Sequence, residues 1–315
     1  MCRAGRFALV AVAMAGLFGC GRDVERSRPR VALVLKTLNS PFFIDLQKGA
    51  EAAAQRLDVA LVVQAAEREM DVEKQMQIIE NLVQTGVDVL CVVPSGSREI
   101  VPAIAKAQRG GIPVVIVDER LDEATAREAG VRPATFVGSD NVDGGRLAGR
   151  HLAEVTGGRA NVAVLEGIPG HESGDARLRG FREAIAVAPG IRVVASQTAN
   201  WERDQGFTVF QNLLQAHPEI DAVFACNDVM ALGAVEAIAA SGKTGRVRVV
   251  GFDAVDDARR AIAAGTMDAS VAQYPSEMGR LAVESAVRLI RGETVPAEQP
   301  TRVGLVTREN VGALR

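Results

Sequence analysis

The sequence predicts an α/β protein made of two parallel-sheet domains. From Arg30 onward, short apolar runs rich in β-branched residues alternate with amphipathic stretches of helical period. The alternation runs as two series, with a charged connector from Asp122 to Pro133 between them. The length, 315 residues, is enough for two cores.

Val31–Leu35 is the first apolar run and reads as a buried parallel strand. Ser40-Pro41 stops it, and Pro41 suits the first turn of the helix expected around Phe43–Leu57, with Ile44 and Leu57 on its apolar face. Val59–Gln64 leads to a helix over Val72–Thr85, in which Met76, Ile79 and Leu82-Val83 share one side. Val87–Val93 leads to Glu99–Arg109, and Val114–Val117 closes the first series. Thr135–Val137 opens the second. Asn161–Leu165, Ile191–Ala195, Ala222–Ala225 and Val247–Phe252 follow, each with a helical stretch after it. Ala269–Ala272, a long helix over Pro275–Ile290 and a short strand at Val303–Val306 complete the chain. This β-α-β-α order means parallel, doubly wound sheets.

The ends and the composition narrow the function. Arg3 and Arg6 precede an apolar run from Phe7 to Phe18, then Gly19-Cys20: a basic region, a short apolar region and a small residue at the cut. That is an export signal, and it is too short to span a bilayer. Residues 1–19 are read as the signal peptide and the polar stretch 20–29 as a tether. Leu17-Phe18-Gly19-Cys20 resembles the lipobox of bacterial lipoproteins, which implies a lipid on Cys20 and a periplasmic or cell-envelope protein whose only membrane contact is that anchor. Ordinary secretion with cleavage nearby is the alternative. A net charge of −3 gives no reason to expect nucleic acid. Cys2, Cys20, Cys91 and Cys226 have neither metal nor redox spacing, and His151, His171 and His217 are scattered, so no metal is expected. No Gly-x-Gly-x-x-Gly or Gly-Lys-Ser/Thr loop follows the first strand, and no nucleophile elbow is present. Neither a cofactor nor an enzymatic reaction is expected.

Polar residues recur where strands end. Asp118-Glu119, Ser139-Asp140-Asn141, Asn227-Asp228, Asp253 and Gln273 each follow a strand. Arg177 and Trp201 lie in the regions after two others, and Lys36, Ser40, Phe42 and Phe43 follow the first. In open α/β sheets ligands bind outside the carboxyl ends of strands. A polar residue there is often only a helix N-cap, and Asp140, Asn141 and Asp228 suit that role as well. Their convergence from both domains points to one crevice with planar acceptors, amides and an Arg fork, the groups vicinal hydroxyls require. Aromatic faces beside them suit the apolar faces of a sugar ring, although Phe42 and Phe43 equally suit a core.

Motifs in a fixed order then identify a family. Leu35-Lys-Thr-Leu-Asn-Ser-Pro-Phe-Phe43, Val117-Asp-Glu-Arg-Leu-Asp122, Gly138-Ser-Asp-Asn141, Gly174-Asp-Ala-Arg-Leu-Arg-Gly180, Ala199-Asn-Trp-Glu-Arg203, Ala225-Cys-Asn-Asp-Val-Met-Ala-Leu-Gly233, Val250-Gly-Phe-Asp253 and Val271-Ala-Gln-Tyr-Pro275 resemble the sugar-binding proteins of bacterial ABC importers, of the ribose-binding type. The resemblance spans Arg30 to about Thr307. It implies a type I periplasmic binding protein: two Rossmann-like domains, 30–139 plus 274–302 and 140–273 plus 303–315, joined by three hinge segments. It also implies that Phe42, Phe43 and Trp201 sandwich the sugar, and that Asp118, Arg177, Asn227, Asp253 and Gln273 bind its hydroxyls. A monomer that closes on a monosaccharide and engages an ABC permease is expected. A binding protein serving a sensor kinase or chemoreceptor would share the fold and site. Lys36, Val93 and Glu119 stand where the ribose-binding pattern has Ser, Asn and Arg, and Lys36 and Glu119 are similar to the D-allose-binding branch. Lys36 can reach a hydroxyl or pair with Glu119, and Ser40, where Asn is usual, implies one hydrogen bond fewer. An aldohexose such as allose is expected in preference to ribose.

Overall fold

A computed structural model describes residues 28–313. The expected export signal and Cys20 lie outside the described residues. The elements are β1 Arg30–Thr37, α1 Pro41–Leu57, β2 Ala60–Ala66, α2 Val72–Gln84, β3 Val89–Val92, α3 Val101–Arg109, β4 Val114–Val117, α4 Glu123–Glu128, β5 Thr135–Ser139 and α5 Asn141–Val155. They continue with β6 Arg159–Glu166, α6 Glu172–Ile185, β7 Gly190–Thr198, α7 Arg203–Ala216, β8 Ala222–Ala225, α8 Asp228–Ala240, β9 Arg248–Asp253, α9 Asp256–Ala264, β10 Ala269–Ala272, α10 Pro275–Ile290, β11 Glu298–Thr301 and β12 Gly304–Thr307.

Two sheets of six strands form, ordered β11-β5-β4-β3-β1-β2 and β12-β10-β9-β8-β6-β7. Every pairing is parallel except that of β12 with β10. β1 and β6 sit at equivalent places, where the strand order reverses, and this is where an α/β sheet leaves a crevice. The chain passes between the sheets three times, after Ser139, after Ala272 and after Thr301.

Each sheet is covered by helices on both faces, so β3, β4, β8 and β10 are buried along their whole length rather than alternating. Val31 to Leu35 of β1 are all fully buried. α1 starts at Pro41, whose missing N–H costs nothing in a first turn. It buries Phe42, Phe43, Leu46, Gly49, Ala50, Ala53 and Ala54. The inward stripe is therefore one position off the sequence expectation: Ile44 is an exposed hydrophobic residue. α10 packs on α1 at backbone contact distance. A Cβ on Gly279 would stand 2.0 Å from the Leu46 carbonyl oxygen, and one on Gly49 would stand 1.9 Å from that of Ser276. The second domain repeats the device between α5 and α6, through Gly145 and Gly180. The charged connector contains α4, started by Asp122, whose side chain accepts from the Thr125 N–H. β11 was not expected, because Glu298-Gln-Pro-Thr has no apolar pattern; it is an edge strand, where Pro is tolerated. No helix among the described residues is long and apolar enough to cross a membrane.

Candidate functional site

The carboxyl ends of both sheets face each other across a small polar cavity lined from both domains. The first domain contributes Lys36 at the end of β1, Ser40, Phe42 and Phe43 at the start of α1, Glu69 after β2, and Asp118 after β4. The second contributes Ser173 and Arg177 from α6, Trp201 after β7, Asn227 after β8, Asp253 at the end of β9, and Gln273 after β10. Ten of the residues singled out in the sequence thus come together. The eleventh, Glu119, does not reach the cavity.

The backbone at the site is strained. Asp118 (φ 64°), Trp201 (φ 65°) and Asp253 (φ 106°) are non-glycine residues in left-handed conformations. Asn200 and Ala254, next to two of them, are as well. Such conformations cost of order 1–3 kcal/mol each and persist where the surroundings fix them. Here they turn a strand end so that its side chain faces the opposite domain.

Arg177 organises the second domain's wall. It is 5% exposed, its Nε donates to Asn141 Oδ1 at 2.9 Å, and its Nη1 donates to the Cys226 carbonyl at 2.7 Å. The guanidinium lies over the Phe252 ring at 4.0 Å and stands 3.6 Å from Asp253 Oδ1. Gln273 Nε2 donates to the same Asp253 oxygen at 2.8 Å. Burial pushes the Asp253 carboxyl up to about 6, against the pull of Arg177. Asn227 serves twice: its Oδ1 caps α8 through the Met230 N–H at 2.8 Å, and its amide nitrogen remains on the cavity side, 3.4 Å from the Trp201 carbonyl. Asp140 is an N-cap, accepting from the Asp143 N–H, whereas Asn141 orients Arg177 and Asp228 is locked by Ser270 and the Val255 N–H. Phe42 and Phe43 satisfy both readings, packing in the core edge to face, 5.3 Å apart, while lining the cavity.

Lys36 organises the first wall. It is 2% exposed and its Nζ lies 3.0 Å from Glu119 Oε2 and 3.9 Å from Glu69 Oε2. Burial works against its charge, but Glu119, Glu69 and Asp118 together hold its pKa above the ordinary value. Glu119 is fully buried behind Lys36. Its oxygens accept from Lys36 Nζ, Ser97 Oγ, Ser173 N and Ser173 Oγ, which uses up a carboxylate's capacity. Burial alone would raise it; Lys36 and the Ser173 donors instead bring it to about 2. The expectation that Glu119 meets a ligand is thereby corrected: it holds Lys36 and bonds to α6 of the opposite domain.

Two residues escaped the sequence reading. Glu69 follows β2 by the same rule as the others, but the expected strand stopped at Gln64 and Glu67-Arg68-Glu69 passes for a solvated charge run. Burial raises its carboxyl to about 7, with Lys36 opposing. Ser173 lies in the first turn of α6, away from any strand end, and nothing in its sequence context marks it. Two buried acceptors, Asp118 Oδ1 and Gln273 Oε1, have no donor within the protein. Buried polar atoms are almost always paired, and both of these belong to cavity-lining side chains. An aromatic slot rimmed by acceptors, an amide and a guanidinium can hold a polyhydroxylated ring; among the described residues no group of His, Cys, Asp or Glu could hold a metal ion.

Two facing α/β domains with a polar cleft and a three-strand crossover define a cleft-type binding protein. The chain belongs to the periplasmic binding protein family: residues 31–294 match the family's periplasmic binding protein domain. The ribose import binding protein RbsB of Escherichia coli (strain K12) is 38% identical over 283 residues, covering 90% of this chain and 92% of that protein. The D-allose-binding periplasmic protein of the same strain is 37% identical over 277 residues, covering 87% and 89%. An ABC transporter periplasmic solute-binding protein of Actinobacillus succinogenes 130z, solved with bound D-allose, is 38% identical with a TM-score of 0.86, covering 91% of this chain and 100% of that one. These relatives are substrate-binding proteins of transporters, not enzymes.

Proposed function

We propose that the chain is the lipid-anchored, monomeric binding protein of an ABC sugar importer. It closes on one monosaccharide and carries it to the permease. Residues 30–139 with 274–302 and residues 140–273 with 303–315 act as the two jaws. The observation that carries the reading is the pair of buried acceptors without donors, Asp118 Oδ1 and Gln273 Oε1, on opposite walls of an aromatic slot. Ring hydroxyls supply those donors, and ring C–H faces fill the slot between Phe42, Phe43 and Trp201. The preferred ligand is an aldohexose pyranose such as D-allose. Lys36 presents a long cationic donor at the first wall and Glu69 an additional carboxyl, which suits a larger hydroxyl rim than that of a pentose. Two relatives with similar sequences, one from E. coli and one from A. succinogenes, are described with D-allose.

A thermal-shift screen of hexoses, pentoses, ketoses and polyols tests this, with the single Trp, Trp201, as a fluorescent reporter in the same titrations. At a thousandfold excess over Kd, binding adds about 4 kcal/mol, a rise on the order of 10 °C. D-Allose is expected to give the largest rise. A shift with ribose and none with any hexose overturns the hexose assignment; no shift with any sugar overturns the sugar reading.

The anchor has a separate test. Cys20 follows Leu17-Phe18-Gly19 after the apolar run, and its Ser variant is expected to leave the membrane fraction for the soluble one. Unchanged membrane retention of Cys20→Ser would refute lipidation.

A further inference from the structure

Behind the cavity wall the two domains meet at His171, the residue before α6, which is 2% exposed. Its Nε2 lies 3.0 Å from the Ser95 carbonyl oxygen of the opposite domain. A carbonyl only accepts, so Nε2 carries the proton and donates. Nδ1 is then an acceptor, and two donors converge on it: Trp201 Nε1 at 3.2 Å and Lys36 Nζ at 3.4 Å. Both donors line the cavity, one from each domain. A single imidazole therefore joins a bond across the domain gap to the orientation of two cavity-lining side chains.

We propose that His171 is the positioning residue of the closed cleft: as the neutral Nε2–H tautomer it aims Trp201 at the sugar and, only while the domains are shut, Lys36 as well, and a proton taken up on Nδ1 unlocks the cleft and releases the sugar in acid. This rests on the cleft being the sugar site. A proton on Nδ1 leaves both ring nitrogens as donors and sets an N–H against the Lys36 ammonium and the Trp201 N–H. The charged groups facing the ring are Lys36 from β1 and Glu119 after β4, with Glu69 after β2 beyond Lys36; Glu172, the next residue in the chain, interacts with Glu119, Arg120, Arg179 and Asp175. Glu119 Oε2, 3.9 Å from Nδ1, favours the imidazolium, and burial and Lys36 outweigh it. Burial first, and then the Lys36 ammonium, hold His171 down at about 4 in the closed cleft, whereas an imidazole in water titrates near 6.5. The open state therefore binds more protons between these values, and closure weakens as pH falls from 7 towards 4. Glu69 and Asp253 act with the opposite sign: burial raises their carboxyls to about 7 and about 6, so acid favours them in the closed state. The sign separates the imidazole from the carboxyls.

The experiment is calorimetric titration of the whole chain with D-allose, and with D-ribose as second probe, at pH 7.5 and 5.5. Wild type is compared with His171→Asn, which keeps an acceptor near Nδ1 but cannot titrate, and with His171→Gln, which keeps a donor towards Ser95. The ratio of Kd at pH 5.5 to Kd at pH 7.5 is expected to be roughly tenfold larger in wild type than in His171→Asn. His171→Gln is expected to bind more weakly than wild type at pH 7.5, because the shared acceptor is gone. Equal ratios in wild type and His171→Asn overturn the proposal. No binding of either sugar by wild type at pH 7.5 overturns the sugar reading and the proposal with it. NMR titration of the His ring protons in wild type guards against variants that fail to fold. One imidazole should titrate near 6.5 in the free protein and below 5 with sugar bound; an unmoved midpoint overturns the proposal.

Discussion

Arg177→Met is expected to raise Kd for the sugar at least a hundredfold while leaving a folded protein. The substitution keeps a long stem over the Phe252 ring, so the packing is largely retained. What goes is the guanidinium beside Asp253, together with the donors to Asn141 Oδ1 and the Cys226 carbonyl. Removing one partner from a buried charge pair costs about 3–5 kcal/mol, which corresponds to roughly two to three and a half powers of ten in affinity. Asp253, already raised by burial, moves higher still and takes a proton, which deprives the ligand of an ionised acceptor. Asp253→Ala removes one charge-assisted bond to a hydroxyl, about 1.5–3 kcal/mol, and is expected to lose roughly tenfold or more. Calorimetry giving Arg177→Met an affinity within threefold of wild type would remove Arg177 from the site.

Gly279→Val is expected to lower Tm by about 10 °C or more. The added Cβ would lie 2.0 Å from the Leu46 carbonyl oxygen and 2.8 Å from the Ala50 nitrogen, against backbone that cannot swing away. α1 and α10 must then separate, uncovering Leu46, Ala50, Met278 and Ala282 of one core. Overpacking costs about 1–3 kcal/mol where side chains can yield, and more where backbone must move. At ~2–4 °C per kcal/mol for a chain of this class, a two-digit fall follows. Because α1 also carries Phe42 and Phe43, ligand affinity should fall together with stability. A melting curve within 2 °C of wild type would show that the helices tolerate a wider spacing.

The sequence announced the strands well because both faces of each sheet are covered. Runs such as Val114–Val117 and Ala222–Ala225 leave no other reading and were located to the residue. Where a strand carries no apolar run, the signal fails. β11 contains Glu298 and Pro300 on an edge and follows no apolar pattern. Ile44 suggested the wrong stripe on α1 because small residues, Gly49, Ala50, Ala53 and Ala54, form most of the true one. The site was legible through its position rule, since one loop after another places a polar residue at a strand end. That rule cannot tell a residue that touches the ligand from one that holds it in place. Asp118 and Glu119 are neighbours in sequence, yet Asp118 faces the cavity and Glu119 is sealed behind Lys36. The left-handed turn at Asp118 separates them, and a non-glycine residue carries no mark of it in the sequence.

The three passages of chain between the sheets also govern the order of events at birth. A nascent chain that has delivered residues 28–139 holds β1 to β5 but neither α10 nor β11. Val89, Cys91, Val93 and Val115 then lack Met278, Ala282, Val283 and Ala286, which complete their core. The stretch from Asn141 to Ala272 supplies every strand of the other sheet except the edge strand β12 before α10 has been made. Five of that domain's six strands are therefore made before the first domain's α10. The first-made domain waits, with apolar surface open, for a helix and a strand encoded more than 130 residues later, a separation that slows folding and prolongs exposure to chaperones and to aggregation.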